Sequence, residues 1–148
     1  TCRELINPVY LGVCHLKPPH TVAASIFQRS FRFTRSSRMV HLVSSTQSFK
    51  EHISKDQYTI VDFYANWCAP CKAIAPILVR LSNTYASIKF LKVDVDEQSE
   101  VAAEEKIKAM PTFVVYRNGQ RVDELVGANQ DKLEKLVIKY AEIAGKCS

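Results

Sequence analysis

The 148-residue chain lacks several features that would assign it to particular classes of protein. Its apolar stretches all fall well short of the roughly 18 residues that a membrane-spanning helix needs. From residue 39 onward it has no internal repeat and no low-complexity segment. The composition, 47% apolar and 24% charged, is typical of a globular domain, and the length is sufficient for one such domain of usual size.

Acidic residues are absent from residues 5–38, and this absence accounts for the net charge of the chain. Residues 1–38 carry six bases and one acid, whereas residues 39–148 carry 14 bases and 14 acids. The formal charge of +5 therefore belongs to the N-terminal segment. Because a nucleic-acid-binding domain presents clustered basic residues, the balanced charge of the larger part argues against nucleic acid as a partner.

The N-terminal segment is rich in Arg and Ser, with aromatic residues interspersed between residues 25 and 38. That composition is typical of a mitochondrial transit peptide. The competing interpretation is a non-native upstream segment, since the chain begins with Thr1 and Met39 stands directly before the first predicted strand. Under either interpretation we expect residues 1–38 to be poorly ordered and residues 39–148 to form the domain. The cytoplasm is the favoured location, and the mitochondrial matrix follows if residues 1–38 are a transit peptide.

Cysteine is absent between residues 72 and 146, and the five cysteines stand at positions 2, 14, 68, 71 and 147. A secreted disulfide scaffold distributes its pairs through the fold, so this pattern favours a reducing compartment and one reactive pair. Cys68 and Cys71 also have the spacing of half a zinc ribbon, but no second pair matches it. We therefore predict no metal site. We interpret Cys147 as a free surface thiol, and a regulatory or dimer-forming role is the alternative.

The hydrophobic pattern from residue 40 alternates between strands and helices. Residues 59–65 form a nearly continuous apolar run, which indicates a central strand covered on both faces. Apolar residues then recur at helical spacing from near Cys68 to Tyr85, a third helix is predicted over residues 99–106, and Asn118-Gly119 marks a hairpin turn. The predicted order is strand, helix, strand, helix, strand, helix, strand, strand, helix. It indicates an α/β fold with a central mixed sheet of about five strands flanked by four helices.

The reactive pair is predicted to lie where the central strand gives way to a helix N-terminus. Unpaired N–H groups and the helix dipole favour an anion there, so they favour the thiolate of Cys68, the form that attacks disulfides. Pro70 fits the first helical turn, and the three-residue spacing brings Cys71 to the same side of the helix. Cys68 can then form a mixed disulfide with a partner, which Cys71 resolves.

Asp62 lies in the middle of the apolar run, where an unpaired charge is costly. The functional interpretation is a buried carboxyl group with a raised pKa that accepts and returns the proton of Cys71. The alternative is an aspartate at an exposed strand edge. Because Val61, Phe63 and Tyr64 leave no polar face, the functional interpretation is favoured.

Three segments together resemble the thioredoxin family. They are Asp62-Phe-Tyr-Ala-Asn-Trp-Cys-Ala-Pro-Cys-Lys-Ala-Ile-Ala-Pro76, Ala109-Met-Pro-Thr-Phe113 and Val126-Gly-Ala128. The resemblance covers essentially all of residues 39–148. It implies a thioredoxin fold and a protein-disulfide reductase that carries electrons and maintains cell redox homeostasis. It further implies no bound cofactor, electrons drawn from NADPH through thioredoxin reductase, diverse disulfide-containing partner proteins and a monomer.

The same resemblance implies roles for further residues. It places Lys92 near Asp62, where its charge tunes the carboxyl group; a solvated strand lysine is the alternative. It implies a cis peptide bond before Pro111, beside the cysteine pair, with the backbone of the preceding residue free to bind substrate. The residues that match the apolar docking ring of the family are Trp67, Ala69, Pro70, Met110, Gly127 and Ala128. A turn requirement explains Gly127 equally well.

Two positions depart from the usual family pattern. Ala69 stands where glycine is most common, and Tyr64 stands where Trp or Phe is usual. Residues between the cysteines help to set the reduction potential, so Ala69 leaves that potential open. A thiol oxidase or isomerase of the same fold is an alternative function, which would need a more oxidising potential and usually a secretory signal, and we find no such signal. A binding module that works without redox chemistry is another alternative.

Overall fold

The computed structural model describes residues 40–146, so the expectations for residues 1–38 and for Cys147 lie outside the described residues. Residues 40–146 form five strands and four helices. The strands are β1 (His41–Leu42), β2 (Thr59–Tyr64), β3 (Lys89–Asp94), β4 (Thr112–Arg117) and β5 (Gln120–Val126). The helices are α1 (Thr46–Ile53), α2 (Ala69–Thr84), α3 (Ser99–Glu104) and α4 (Gln130–Lys146). Within this range no helix combines the length and the apolar character needed to cross a membrane.

The five strands form one mixed sheet in the order β1-β3-β2-β4-β5. β3 pairs in parallel with both β1 and β2, whereas β4 runs antiparallel to both β2 and β5. β2 is therefore hydrogen-bonded along both edges, and its first five residues are buried. The predicted mixed sheet of about five strands with four helices is confirmed.

Each face of the sheet packs against two helices. On one face, α2 and α4 bury an apolar cluster that includes Ile60 of β2. On the other face, Phe49 of α1 and Val101 of α3 pack with Phe63 of β2. The ring of Phe49 also meets that of Tyr116 edge-on, with centroids 5.7 Å apart. Because successive side chains of a strand point to opposite faces, the single apolar run of β2 contributes to both clusters.

Polar and left-handed residues define the ends of several elements. The hydroxyl of Ser45 caps α1 by accepting the N–H of the residue three positions later at 3.1 Å. Asn118 and Gly119 have φ angles of 51° and 76°, as a type I′ hairpin turn requires. The third helix ends at Glu104, not at residue 106 as predicted. The physical reason is that Lys106 adopts a left-handed conformation with φ 55°, which cannot continue a helix.

Candidate active site

The two cysteines lie at the junction between β2 and α2. Cys68 is the N-cap of α2, and Cys71 lies in the first turn of that helix. Their sulfurs form a disulfide, with an S–S distance of 1.99 Å and Cα atoms 5.3 Å apart. The N–H of Cys71 donates a hydrogen bond to Sγ of Cys68 at 3.3 Å. The helix N-terminus thus directs a backbone donor at the sulfur of Cys68, and such a donor stabilises negative charge there.

The surroundings of the disulfide are divided between a buried and an exposed side. Cys68 is 4% exposed and Cys71 is 3% exposed, and partly buried Met110 packs against the cluster that they form with Ala65. By contrast, Trp67 is 68% exposed, and Ala69 and Pro70 are also exposed. The indole of Trp67 and the first residues of α2 are therefore the solvent-exposed neighbours of the disulfide.

Asp62 is buried in the middle of β2, with 1% of its surface exposed. Its Oδ1 atom has no hydrogen-bond partner among the described residues. Burial raises the pKa of Asp62 to about 7, and the positive charge of Lys92 opposes this shift only in part. A carboxyl group that titrates near neutral pH can take up and release a proton under physiological conditions.

Lys92 stands opposite Asp62 in the parallel pairing of β2 with β3. Its ammonium group lies 4.0 Å from the centroid of the Tyr64 ring, as a cation–π contact. The ion pairs found within residues 40–146 do not include one between Lys92 and Asp62. Lys92 therefore acts on Asp62 through charge at a distance and leaves the carboxyl group without a direct counter-ion.

A second segment approaches the cysteines from the ends of β4 and β5. The peptide bond between Met110 and Pro111 is cis. The N–H of Gly127 donates to the carbonyl oxygen of Pro111 at 2.8 Å, and the hydroxyl of Thr112 donates to the carbonyl oxygen of Ala109 at 2.8 Å. These bonds join the segment before β4 to the residue after β5. Gly127 has φ 96°, a conformation that favours glycine, so its backbone satisfies the turn requirement.

The family model described as Thioredoxin matches residues 40–139. The chain belongs to the thioredoxin family. Thioredoxin 1 of Plasmodium falciparum is 52% identical over 103 residues, which are 70% of this chain and 99% of that protein. "Thioredoxin-2, mitochondrial" of Schizosaccharomyces pombe is 40% identical over 124 residues, which are 84% of this chain and 92% of that protein. A solved thioredoxin structure from Plasmodium falciparum has a TM-score of 0.67 at 51% identity and covers 68% of this chain and 99% of its own.

Thioredoxins are protein-disulfide oxidoreductases, and the Cys68–Cys71 pair gives this chain the corresponding chemistry. It is a protein-disulfide reductase that works by dithiol–disulfide exchange. The thioredoxin family uses a redox-active disulfide in place of a metal or bound cofactor, and its members generally interact with thioredoxin reductase and with disulfide-containing substrates. Residues 40–146 contain no group of three or more side chains placed to hold a metal ion.

Two aspartates that the sequence interpretation missed contribute to this thioredoxin site. Asp94, buried at the end of β3, accepts hydrogen bonds from Nδ2 of Asn66 at 2.7 Å and from the N–H of Asp96 at 3.0 Å. Asp96 accepts a hydrogen bond from Nε1 of Trp67 at 2.9 Å. These bonds hold the exposed indole beside Cys68. The available signal was a pair of acids at the end of a strand adjacent to the central strand.

The substitution Asp62→Asn is expected to change the pH dependence of the stability of the oxidised protein. The pKa of Asp62 is raised from 3.8 to about 7 in the folded protein, so the folded state binds this proton more tightly than the unfolded state does. The resulting stabilisation is fully present below the unfolded pKa and is lost as the pH rises through about 7. Between the two pKa values, the free energy of unfolding of the wild type should therefore fall relative to that of the variant as the pH rises. The fall is up to roughly 1.4 kcal/mol for each pH unit.

Urea unfolding over a series of pH values measures this difference. Asp131→Asn serves as the control, because Asp131 is exposed in the first turn of α4. We expect the control and the wild type to keep a nearly constant difference. Parallel curves for Asp62→Asn and the wild type would contradict the raised pKa of Asp62.

Proposed function

We propose that Cys68 is the attacking thiol of this thioredoxin and Cys71 the resolving thiol. The thiolate of Cys68 attacks one sulfur of a partner disulfide, so a Cys68–partner disulfide forms and the second partner sulfur leaves as a thiolate. Cys71 then attacks Sγ of Cys68, which forms the Cys68–Cys71 disulfide and releases the first partner sulfur. Two electrons pass to the partner. The observation that supports this order is the hydrogen bond from the N–H of Cys71 to Sγ of Cys68.

We propose that the carboxylate of Asp62 accepts the proton of the Cys71 thiol. The second attack requires the thiolate of Cys71, and a base with a pKa near the working pH is suited to accept its proton. Asp62 meets that condition, since burial raises its pKa to about 7. Lys92 tunes this carboxyl group, because its positive charge keeps the pKa lower than burial alone would set it.

Substrate proteins dock on an apolar ring contributed by three segments of this chain. The proposed ring consists of Trp67, Ala69, Pro70, Met110, Pro111, Gly127 and Ala128. A small apolar surface makes few directional demands, which suits a protein that acts on diverse disulfide-containing partners. We propose that the chain works as a monomer, that thioredoxin reductase returns it to the dithiol form, and that NADPH is the source of those electrons.

The substitution Cys71→Ser is expected to trap the mixed disulfide with a substrate protein. The variant keeps the attacking thiol and loses the resolving one, so the Cys68–partner bond has no internal route of release. Non-reducing electrophoresis after mixing with a disulfide-containing protein should show a covalent complex that a thiol reductant dissociates. Cys68→Ser is the matched control and should form no such complex.

A function that survives in the double serine variant would support the redox-independent binding module instead.

The reduction potential of the Cys68–Cys71 disulfide is expected near the roughly −270 mV typical of thioredoxin. Equilibration with a thiol buffer of known potential measures it, and the Ala69→Gly variant shows how much the residue between the cysteines contributes. A value between roughly −180 and −120 mV would instead identify an oxidant or isomerase.

The compartment depends on residues 1–38. The alignment with the relative whose name includes "mitochondrial" spans 124 residues, more than residues 39–148 contain, so it includes part of that segment. This supports a transit peptide and the mitochondrial matrix as the alternative to the cytoplasm. Expression of the chain with and without residues 1–38, followed by cell fractionation, distinguishes the two. If residues 1–38 are a transit peptide, only the longer form should be found in the mitochondrial matrix. Finding both forms in the cytosol would contradict the transit-peptide hypothesis.

A further inference from the structure

A groove lies beside the proposed docking residues Met110 and Pro111. It is a cavity of about 360 Å³ lined by residues 106–109 before β4, by Thr112 at its start, and by side chains of β5. That volume lies at the lower end of the range of ligand pockets in proteins. Ile107, Ala109 and Val126 give it an apolar part, and Val126 is 56% exposed although it is a large apolar residue.

The charged side chains of the groove are predominantly basic. Lys106, Lys108 and Arg121 line it, against a single acid, Glu124. Arg121 already forms an ion pair with Glu124 and donates a hydrogen bond to the carbonyl oxygen of Glu105 at 2.8 Å. The two lysines are exposed, and neither takes part in an ion pair with another described residue. The groove therefore offers two ammonium groups to an incoming partner.

The position of the groove connects it to the dithiol chemistry. Ala109 and Thr112 line the groove and flank Met110 and Pro111, and Met110 packs against the cluster that contains both cysteines. Val126 closes the other side and directly precedes Gly127, whose N–H bonds to Pro111. A polypeptide that docks at Met110 and Pro111 therefore lies next to this groove.

We propose that the groove is a specificity subsite for disulfide-containing proteins that carry acidic side chains close to the half-cystine. This inference rests on the proposed docking of substrates at Met110 and Pro111. Residues 39–148 have as many acids as bases, so the positive charge of the groove is a local feature and not part of a general basic surface. Charges at the rim of an interface act mainly on encounter and on the choice of partner. Lys106 and Lys108 therefore select among substrates without entering the exchange reaction.

Two peptides with the same disulfide provide the test. One carries glutamates at positions flanking the half-cystine, and the other carries glutamines there. The chain is first reduced, the reductant is removed, and the second-order rate constant for release of peptide thiols is measured with each. We expect the wild type to reduce the glutamate peptide about three to ten times faster at low ionic strength. This preference should largely vanish near 1 M salt, where the screening length falls to about 3 Å.

The variant that tests the subsite is Lys106→Gln with Lys108→Gln, and its matched control is Lys132→Gln with Lys135→Gln on α4. The two lysines of the control are exposed and lie outside the groove, so both variants lose the same net charge. The ratio of the two rate constants should approach one in the groove variant and stay at the wild-type value in the control. Lys108→Glu should lower the ratio further and favour the glutamine peptide.

Each result bears on a different claim. Equal ratios in the groove variant and its control would overturn the subsite, as would a wild type that does not distinguish the peptides at low salt. Failure of the wild type to reduce either peptide would contradict the proposed docking and exchange, and the subsite with them. Because each comparison is a ratio within one variant, a general change in activity does not imitate the expected result.

Discussion

The position of β2 in the middle of the sheet is the constraint on which the remaining structure depends. β3 pairs with one edge of β2 and β4 with the other, and helices cover both faces. A strand enclosed in this way must be apolar along its length, and it must leave the core at its end. The exit is where the chain turns into α2, so the cysteine pair lies at the boundary between core and solvent. The reactive site is thus a consequence of where the central strand ends.

Asp62 is the exception within that strand, and its cost to stability is linked to the proton transfer proposed for it. The carboxylate of Asp62 loses its hydration in the core. Lys92 does not compensate with an ion pair to Asp62, because its ammonium group lies over the Tyr64 ring. The carboxyl group consequently retains its proton up to about neutral pH. A direct salt bridge would stabilise the charged form and remove the titration near pH 7 that the proposed proton transfer requires. The unpaired Oδ1 is therefore part of the proposed mechanism.

The proposed recognition surface is formed by segments that are distant in sequence. The indole of Trp67 is held by Asp96, which follows β3, and the cis segment at Pro111 is held by Gly127, which follows β5. The proposed basic groove continues this surface along residues 106–109. On this proposal the apolar ring accepts many partners and the basic groove selects among them. The two effects would be separable, since the charges of the groove act on encounter and leave the sulfur chemistry unchanged.

The sequence alone determined the order of elements, the central strand, the hairpin turn and the candidate pair, because apolar periodicity, Asn-Gly and the cysteine spacing are local signals. It placed the end of the third helix two residues too far, since the left-handed turn at Lys106 has no strong local signature. Only the tertiary structure decided that Lys92 contacts Tyr64 while Asp62 stays unpaired, that Asp94 and Asp96 support Trp67, and that a groove forms between the segment before β4 and β5. These features depend on which strands are neighbours and on where side chains point, and spacing along one chain does not encode either.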